Sequence, residues 1–366
     1  MHKNVIAAAF GLLTALPLSA QTDIQHYVPG ITPSGITYYL PTTNIRFVIE
    51  ATRTTHHPGQ YAMFAERFLD VKDATQVAYD TWTFDAVTPV AFGTPDPEQV
   101  FSIALNQKTS APLVTITPDG ILTAVNEEIE FPPILPTASV KAVATEQLNP
   151  NEFLTTDILR AASISKKAEL TAEEIYDIRE NRDLLAKGQA DFNPADGEQL
   201  RLMLERLDRS ERALTSLFVG TTTVEKHTFI IDFTPKAACE SMPFFRFSKH
   251  LGLVDNDDLS GEPYFITLTD ETTLVGAAAS LAAAAQNVKP KKEMPDLRYR
   301  IPGRARIVLS NTTNKVIEFT APVAQFGKIE HLGGDLFNKK FTTRVRLNPV
   351  TGNIEKIDIP DFQKSK

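Results

Sequence analysis

Four short segments from the first half of this chain return, in the same order, in its second half. In the first match, residues 45–52 (IRFVIEAT) correspond to residues 228–234 (TFIIDFT), with aromatic, acidic and hydroxyl side chains at one constant offset. The other matches pair residues 64–71 with 247–254, 97–103 with 261–267, and 114–122 with 345–354. The common order predicts an internal duplication, in which two related β-rich modules are separated by a different segment.

The predicted modules consist of short runs rich in β-branched and aromatic residues, which are typical of strands. Turn residues such as Pro118-Asp119-Gly120 separate these runs. We therefore predict an α+β fold with two sandwich-like modules, at residues 21–149 and 221–366. Residues 271–296 of the second module are rich in alanine and lysine and are predicted to be a low-complexity insertion.

The segment between the modules, residues 150–220, has helical periodicity. One apolar stripe includes Leu170, Ile175 and Ile178, and a second stripe follows Asp196, which is a good N-cap residue. Gly188 is a predicted helix end. Two amphipathic helices joined by a short loop predict an antiparallel helical hairpin.

The first twenty residues predict export. Lys3 precedes an apolar run, and Leu18-Ser19-Ala20 resembles a signal peptidase site. We therefore interpret residues 1–20 as a signal peptide, which places the mature chain in the periplasm or at the outer membrane. No later run reaches the roughly 18 apolar residues of a membrane-spanning helix, so no transmembrane segment is predicted.

Composition restricts the classes of partner and of stabilising cross-link. Cys239 is the single cysteine, so no disulfide can form within the chain. The formal net charge is −8, which argues against nucleic-acid binding because that binding requires Lys and Arg to neutralise phosphates.

One acidic loop is a candidate metal site. Its carboxylates are Asp255, Asp257, Asp258 and Glu262, and clustered hard oxygens can bind Ca²⁺. The spacing differs from that of the twelve-residue calcium loop, so we favour a turn in which Asp side chains cap backbone amides. No other cofactor is predicted.

A row of arginines is a candidate surface for an acidic partner. Arg298, Arg300, Arg304 and Arg306 alternate with apolar residues, so a strand would place them on one face, interrupted at Pro302-Gly303. Guanidinium groups bind carboxylates, including those of glycans. The interpretation we favour is a solvated face whose arginines pair with nearby acids.

Catalytic motifs are weak in this sequence. Ser163 and Lys166 match the SxxK spacing of some serine acyltransferases, but the companion SDN and KTG motifs are missing. The sequence contains neither HExxH nor GxSxG. We therefore predict no catalytic residues, although residues that come together only in the folded chain could still form a hydrolase site.

Long segments of the chain resemble a known family. They include GITYYLPTTNIRFVIEATRT, EEIYDIRENRDLLAKGQADF and LVDNDDLSGEPYF. The chain resembles a domain-of-unknown-function family of exported proteins from gut-type Gram-negative bacteria, which has no established activity. The resemblance implies an envelope location and identifies no site residue.

Three functional hypotheses follow. The leading one is an envelope protein without catalytic activity that binds a protein partner or acts as a scaffold. The alternative is a glycan- or peptide-binding protein that uses an exposed sheet face, with Tyr38, Tyr39, Trp82 and Tyr264 as candidate contacts. A hydrolase is the third.

Overall fold

The computed structural model describes residues 35–104, 114–129, 134–143, 146, 148–192, 194, 196–272, 297–332 and 343–358. The predicted signal peptide at residues 1–20 lies outside these ranges, as does nearly all of the predicted insertion at residues 271–296. The described chain is rich in strands, which form three antiparallel sheets, and it contains a pair of long helices.

In chain order, the strands are β1 (Gly35–His57), β2 (Tyr79–Ala104), β3 (Val114–Ile116), β4 (Leu122–Val125), β5 (Ser139–Ala142), β6 (Thr221–Phe233), β7 (Cys239–Ser248), β8 (Gly252–Val254), β9 (Glu262–Asp270), β10 (Leu297–Ser310), β11 (Lys315–Leu332), β12 (Arg344–Leu347) and β13 (Ile354–Asp358). The α-helices are α1 (Ala65–Leu69), α2 (Thr156–Arg160), α3 (Ile164–Lys187) and α4 (Gly197–Val219), and short 3₁₀ helices span Ala62–Phe64 and Pro150–Phe153.

The first sheet has the strand order β2-β1-β6-β5, the second β11-β10-β9-β7-β8, and the third β13-β12-β4-β3. In the first sheet, β1 pairs with β6 from Ile45–Phe233 to His57–Thr221. In the third sheet, β4 pairs with β12. Strands from both predicted modules therefore share two of the three sheets.

The pairs of matching segments differ in whether their two members have the same secondary structure. Residues 45–52 and 228–234 lie in β1 and β6, which pair directly with each other. In contrast, residues 64–71 contain helix α1, whereas residues 247–254 belong to β7 and β8. One of the four sequence matches thus pairs a helical segment with a segment in strands. The duplication, the sandwich arrangement and the module boundaries stay predictions.

Two hydrophobic clusters join the first sheet to the second. Alternate side chains of β1 point to one face, and Ile45, Phe47, Ile49 and Ala51 are all buried there. They pack with residues of the second sheet: Phe245, Phe247, Tyr264, Ile266, Leu268, Ala305, Ile307, Leu309 and Val323. Each fully buried Ile, Leu, Val or Phe side chain among them contributes about 1.5–3 kcal/mol to folding stability, because its apolar surface is removed from water.

The helical hairpin agrees with its sequence signals. The side chain of Asp196 accepts a hydrogen bond from the N–H of Glu198 at the start of α4, and Gly188 ends α3 in the left-handed region with φ of 69°. Ion pairs between Arg179 and Glu211 at 2.6 Å and between Arg182 and Asp208 at 3.0 Å show that the helices are antiparallel. In the described part of the chain, no helix has the length and apolar character needed to cross a membrane.

Candidate functional site

A cavity of about 810 Å³ lies where the start of β6 meets helix α4, and we call it the α4–β6 cavity. Its volume is in the range of small-molecule binding sites. The lining residues are His57, Ala142, Val143, Glu146, Leu148, Arg212, Ser216, Gly220, Thr221, Thr222, Thr223, Val224 and Glu225. Most of them carry a hydroxyl or an ionisable side chain.

Gly220 makes this junction possible. The residue connects α4 directly to β6, with φ of 81°, and its N–H donates to the carbonyl of Ser216 at 2.8 Å. A Cβ atom at this position would lie 2.2 Å from the carbonyl oxygen of His57. Only glycine therefore allows the end of the helix to approach the end of β1 so closely.

One wall of the cavity continues the face of the first sheet that covers the core. By alternation from Phe233, the side chains of His227, Glu225 and Thr223 lie on that face. The Glu225 carboxylate is 3.6 Å from Arg53 and 3.3 Å from Nε2 of His227. The apolar interior of the sheets thus gives way to charged groups at the cavity.

Arg53 is the centre of this charged group. Its guanidinium lies 2.6 Å from Asp80 and 5.7 Å from the ring centroid of Trp82. The hydrogen bond from Arg53 is the main cause that lowers the pKa of the Asp80 carboxyl, and the bond to Asp80 raises the pKa of Arg53. Both groups therefore stay ionised, and the positive charge beside Glu225 is permanent.

The opposite wall is formed by α4 and by Glu146. The carboxylate of Glu146 lies 3.0 Å from Arg209 and 3.3 Å from Arg212. The hydroxyl of Ser216 donates to the carbonyl of Ala213 in its own helix at 2.6 Å. The α4 wall therefore has two arginines for one carboxylate, and the sheet wall has two carboxylates, Asp80 and Glu225, for one arginine, so the excess charges of the two walls have opposite sign.

His56 lies immediately behind the cavity and is buried. Its Nδ1 is 3.0 Å from the hydroxyl oxygen of Thr222, and its ring stacks on Tyr79 with centroids 5.0 Å apart. Its Nε2 is also buried and has no hydrogen-bond partner among the described residues. The Thr222 side chain is consequently held on the His56 side of the sheet.

The acidic loop adopts hydrogen bonds typical of a turn. The side chain of Asp258 accepts from the N–H of Ser260 at 2.9 Å, which lowers the pKa of its carboxyl, and Asp255 and Asp257 are exposed. Glu262 accepts from the hydroxyl of Thr312 at 2.7 Å. Nowhere in the described ranges do three or more His, Cys, Asp or Glu side chains come together as a potential metal site. Calcium binding by these four residues stays a prediction.

The arginines of β10 do not form one exposed row. Arg300 is buried and forms an ion pair with Asp96, whereas Arg298, Arg304 and Arg306 are exposed. The β10–β11 ladder shifts register between Ile301 and Gly303, at the interruption predicted for Pro302-Gly303, and the additional residues lie in β11. Arg300 precedes this shift and is buried because Asp96 and Gly352 lie against it.

Carboxylates lie close to the exposed arginines beyond the bulge. Arg306 is 3.1 Å from Glu271 and 3.4 Å from Glu318, and Arg304 is 3.9 Å from Glu271. This geometry is that of arginines paired with nearby acids. Partner binding through this strand stays a prediction.

Two of the four aromatic candidates are core residues. Tyr38 and Tyr264 are buried, while Tyr39 and Trp82 are half-buried. The α4–β6 cavity was not predicted from the sequence, because its residues come from separate parts of the chain. The available signal was Gly220, a helix-ending glycine followed directly by the hydroxyl run of residues 221–223.

A second depression of about 480 Å³ lies at the tip of the hairpin, and we call it the hairpin-tip groove. Its lining includes Leu184, Phe192, Met203, Leu207 and Ser210. Helix α4 contributes residues to both depressions, so substitutions on this one helix can be directed to either of them.

Comparison with known proteins places the chain in a family. Residues 34–355 match the model of a family described as Domain of unknown function (DUF4831). No curated protein and no solved structure matches the chain. Since the match spans nearly the whole chain, this protein belongs to the DUF4831 family of domains of unknown function.

Proposed function

We propose that this protein is a non-catalytic binding protein of the bacterial cell envelope and that the α4–β6 cavity holds its ligand. The observation that carries the proposal is the cavity itself, about 810 Å³ in volume and lined by hydroxyl, carboxylate, guanidinium and main-chain groups. A binding site needs a concave surface and a few well-placed polar groups. The proposed location rests on the signal-peptide features of residues 1–20.

The polar side chains of the cavity already have hydrogen-bond or ion-pair partners, which favours ligand binding over catalysis. A serine nucleophile requires an adjacent base to activate it. Ser216 instead donates its proton to the helix carbonyl of Ala213. Arg212 and Glu225 already have charged neighbours in Glu146 and Arg53. Groups held in this way orient a ligand without reacting with it.

The test is a ligand screen on the mature chain by thermal shift, using one panel of saccharides and one of short peptides. A ligand that binds only the folded state raises the melting temperature, and the rise continues with the logarithm of ligand concentration above the dissociation constant. We expect a shift with the wild type and its loss in Ser216→Phe, because the new ring fills the cavity.

Ser210→Phe is the matched control. Ser210 lies on the same helix, and its hydroxyl also donates to a helix carbonyl, that of Arg206, at 3.0 Å. It lines the hairpin-tip groove rather than the α4–β6 cavity. A ligand shift that survives Ser216→Phe and disappears in Ser210→Phe would move the site to the groove. Flat melting temperatures across both panels would reject the proposed function.

A further inference from the structure

Two side chains of opposite charge line the α4–β6 cavity from different elements. Arg212 belongs to α4 and Glu225 belongs to β6. Within the described ranges these two side chains do not form an ion pair with each other, since Arg212 lies beside Glu146 at 3.3 Å and Glu225 lies beside Arg53 at 3.6 Å. The cavity therefore presents a cation and an anion at separate places on its wall.

The guanidinium of Arg212 is incompletely paired. In the described part of the chain it donates only to Glu146 at 3.3 Å and to the carbonyl of Asp208 at 3.4 Å, so further N–H groups of the guanidinium are unused. Glu146 is also 3.0 Å from Arg209, so one carboxylate serves two arginines. The residues beside Glu146 in the sequence carry no ionisable side chain: Ala144, Thr145 and Gln147. Arg212 is therefore able to bind a second carboxylate.

The carboxylate of Glu225 is incompletely paired as well. Arg53 donates to Asp80 from Nε at 3.1 Å and from Nη2 at 2.6 Å. Its Nη1 is 3.6 Å from Glu225, which exceeds an ordinary hydrogen-bond distance. Nε2 of His227 is 3.3 Å from the same carboxylate, and Lys226 lies on the opposite face of β6 because side chains alternate along a strand. Glu225 therefore retains acceptor sites for a cation.

A ligand with one anionic and one cationic group would engage both side chains at once. Resting on the proposed function, we infer that the cavity binds a small zwitterion of the class of short peptides with free termini, whose carboxylate pairs with Arg212 and whose ammonium group pairs with Glu225. The planar fork of a guanidinium matches a carboxylate through two parallel hydrogen bonds, and an ammonium group brings several donors to a carboxylate. The volume of about 810 Å³ is that of a small-molecule site, which favours short peptides.

The experiment uses the mature wild-type chain and random di-, tri- and tetrapeptides whose side chains are not ionisable. The same pool is prepared in four forms: with both termini free, N-acetylated, C-amidated, and capped at both ends. After equilibrium dialysis, mass spectrometry measures the enrichment of each form on the protein side. We expect the free form to be enriched at least about tenfold over the doubly capped form, with the two singly capped forms between them.

Two variants assign the charged groups of the ligand to their partners. Arg212→Gln should lower the enrichment of the free and N-acetylated forms, which carry a carboxylate, and leave the amidated form unchanged. Glu225→Gln should lower the enrichment of the free and amidated forms, which carry an ammonium group, and leave the N-acetylated form unchanged. A cavity that is merely distorted would lose all forms together.

Each variant has a matched control outside the cavity. Arg206→Gln changes an arginine of the same helix that lines the hairpin-tip groove. Asp232→Asn changes an acid of the same strand that is likewise paired with an arginine of β1, Arg46, at 2.7 Å. Both controls should enrich the four forms as the wild type does. If either cavity variant fails to fold, the comparison of the four forms on wild-type protein decides the matter.

The outcomes separate this inference from the proposed function. Equal enrichment of the free and doubly capped forms would overturn the zwitterionic ligand, as would enrichment of free peptides that neither cavity variant changes. A saccharide that binds in a Ser216→Phe-sensitive manner, with no peptide enriched, would overturn the inference and leave the proposed function standing. Absence of any ligand in both experiments would reject both.

Discussion

The side-chain amide of Gln325 hydrogen-bonds both main-chain groups of Thr43. The N–H of Thr43 donates to Oε1 at 3.0 Å, and Nε2 donates to the carbonyl of Thr43 at 2.9 Å. Nε2 also donates to the carbonyl of Pro235 at 2.7 Å. Ile45 and Phe233 form the last pair of the β1–β6 ladder, and Thr43 and Pro235 each lie two residues beyond that pair. The Gln325 amide therefore connects the two segments where the ladder ends.

Gln325→Leu should therefore destabilise the protein. The change leaves the main-chain groups of the buried Thr43 without their partners, which costs about 1–3 kcal/mol for each unsatisfied group. Urea unfolding measures the loss. Gln199→Leu, at an exposed position in the first turn of α4, is the control and should change stability by less than about 0.5 kcal/mol. Equal stability of the two variants would show that the Gln325 contacts contribute nothing.

The hydroxyl of Tyr38 likewise hydrogen-bonds the main chain of Arg298, and its contribution to stability is expected to depend on pH. The hydroxyl accepts from the N–H of Arg298 at 2.8 Å and is 3.1 Å from its carbonyl oxygen. Tyr38→Phe removes this group and should cost about 1–3 kcal/mol at neutral pH.

Burial raises the pKa of the Tyr38 phenol above its ordinary value. Because the folded state disfavours ionisation, the stabilisation by the hydroxyl is complete below about pH 10 and declines as the pH rises above that value. The stability difference between wild type and Tyr38→Phe should accordingly narrow from pH 8 to pH 11 in urea titrations. A difference that is constant or grows with pH contradicts the buried, neutral phenol.

Arg300 and Arg304 should respond very differently to the same substitution. Arg300→Met leaves Asp96, whose side chain is 17% exposed, as a nearly buried unpaired carboxylate. Removal of one partner of a buried ion pair costs about 3–5 kcal/mol. Arg304→Met removes an arginine whose side chain is 69% exposed, and the expected loss is about 0–1 kcal/mol. Calorimetric melting of both variants tests the contrast, and similar losses would contradict the structural role of Arg300.

The bulge in β11 opposite Pro302 depends on a close approach of Gly327 to β10. A Cβ atom at Gly327 would lie 1.7 Å from the carbonyl oxygen of Ile301 and 2.8 Å from the nitrogen of Gly303. Gly327→Ala must therefore displace backbone and should cost at least about 1–3 kcal/mol, the usual penalty of overpacking.

Gly197→Ala is the matched control for that substitution. No heavy atom lies within 4 Å of the added Cβ, and alanine favours the helix by about 1 kcal/mol. Melting temperatures of the two variants should move in opposite directions. A neutral result at Gly327 would mean that the bulge relaxes without strain.

Local signals explain the parts of the fold that sequence analysis predicted correctly. Asp196 caps α4 and Gly188 ends α3 because side-chain capping and left-handed glycine act over a few neighbouring residues. The arginine row failed at Arg300 because Asp96 of β2 and the chain at Gly352 lie against that residue, and contacts between such distant positions leave no local signal. The α4–β6 cavity was missed for a similar reason, since its walls come from β1, β5, β6 and α4.

Apolar alternation and helix-capping residues were enough to predict strands and a helical pair, and the single cysteine was enough to exclude a disulfide within the chain. Tertiary contacts were needed to place β1 beside β6, to bring Gln325 to the end of their ladder and to bring residues of β6 and α4 together around one cavity. The physical reason is how far apart along the chain the interacting residues lie. Periodicity and capping involve residues within about four positions of one another, whereas strand pairing and cavity walls join positions more than a hundred residues apart.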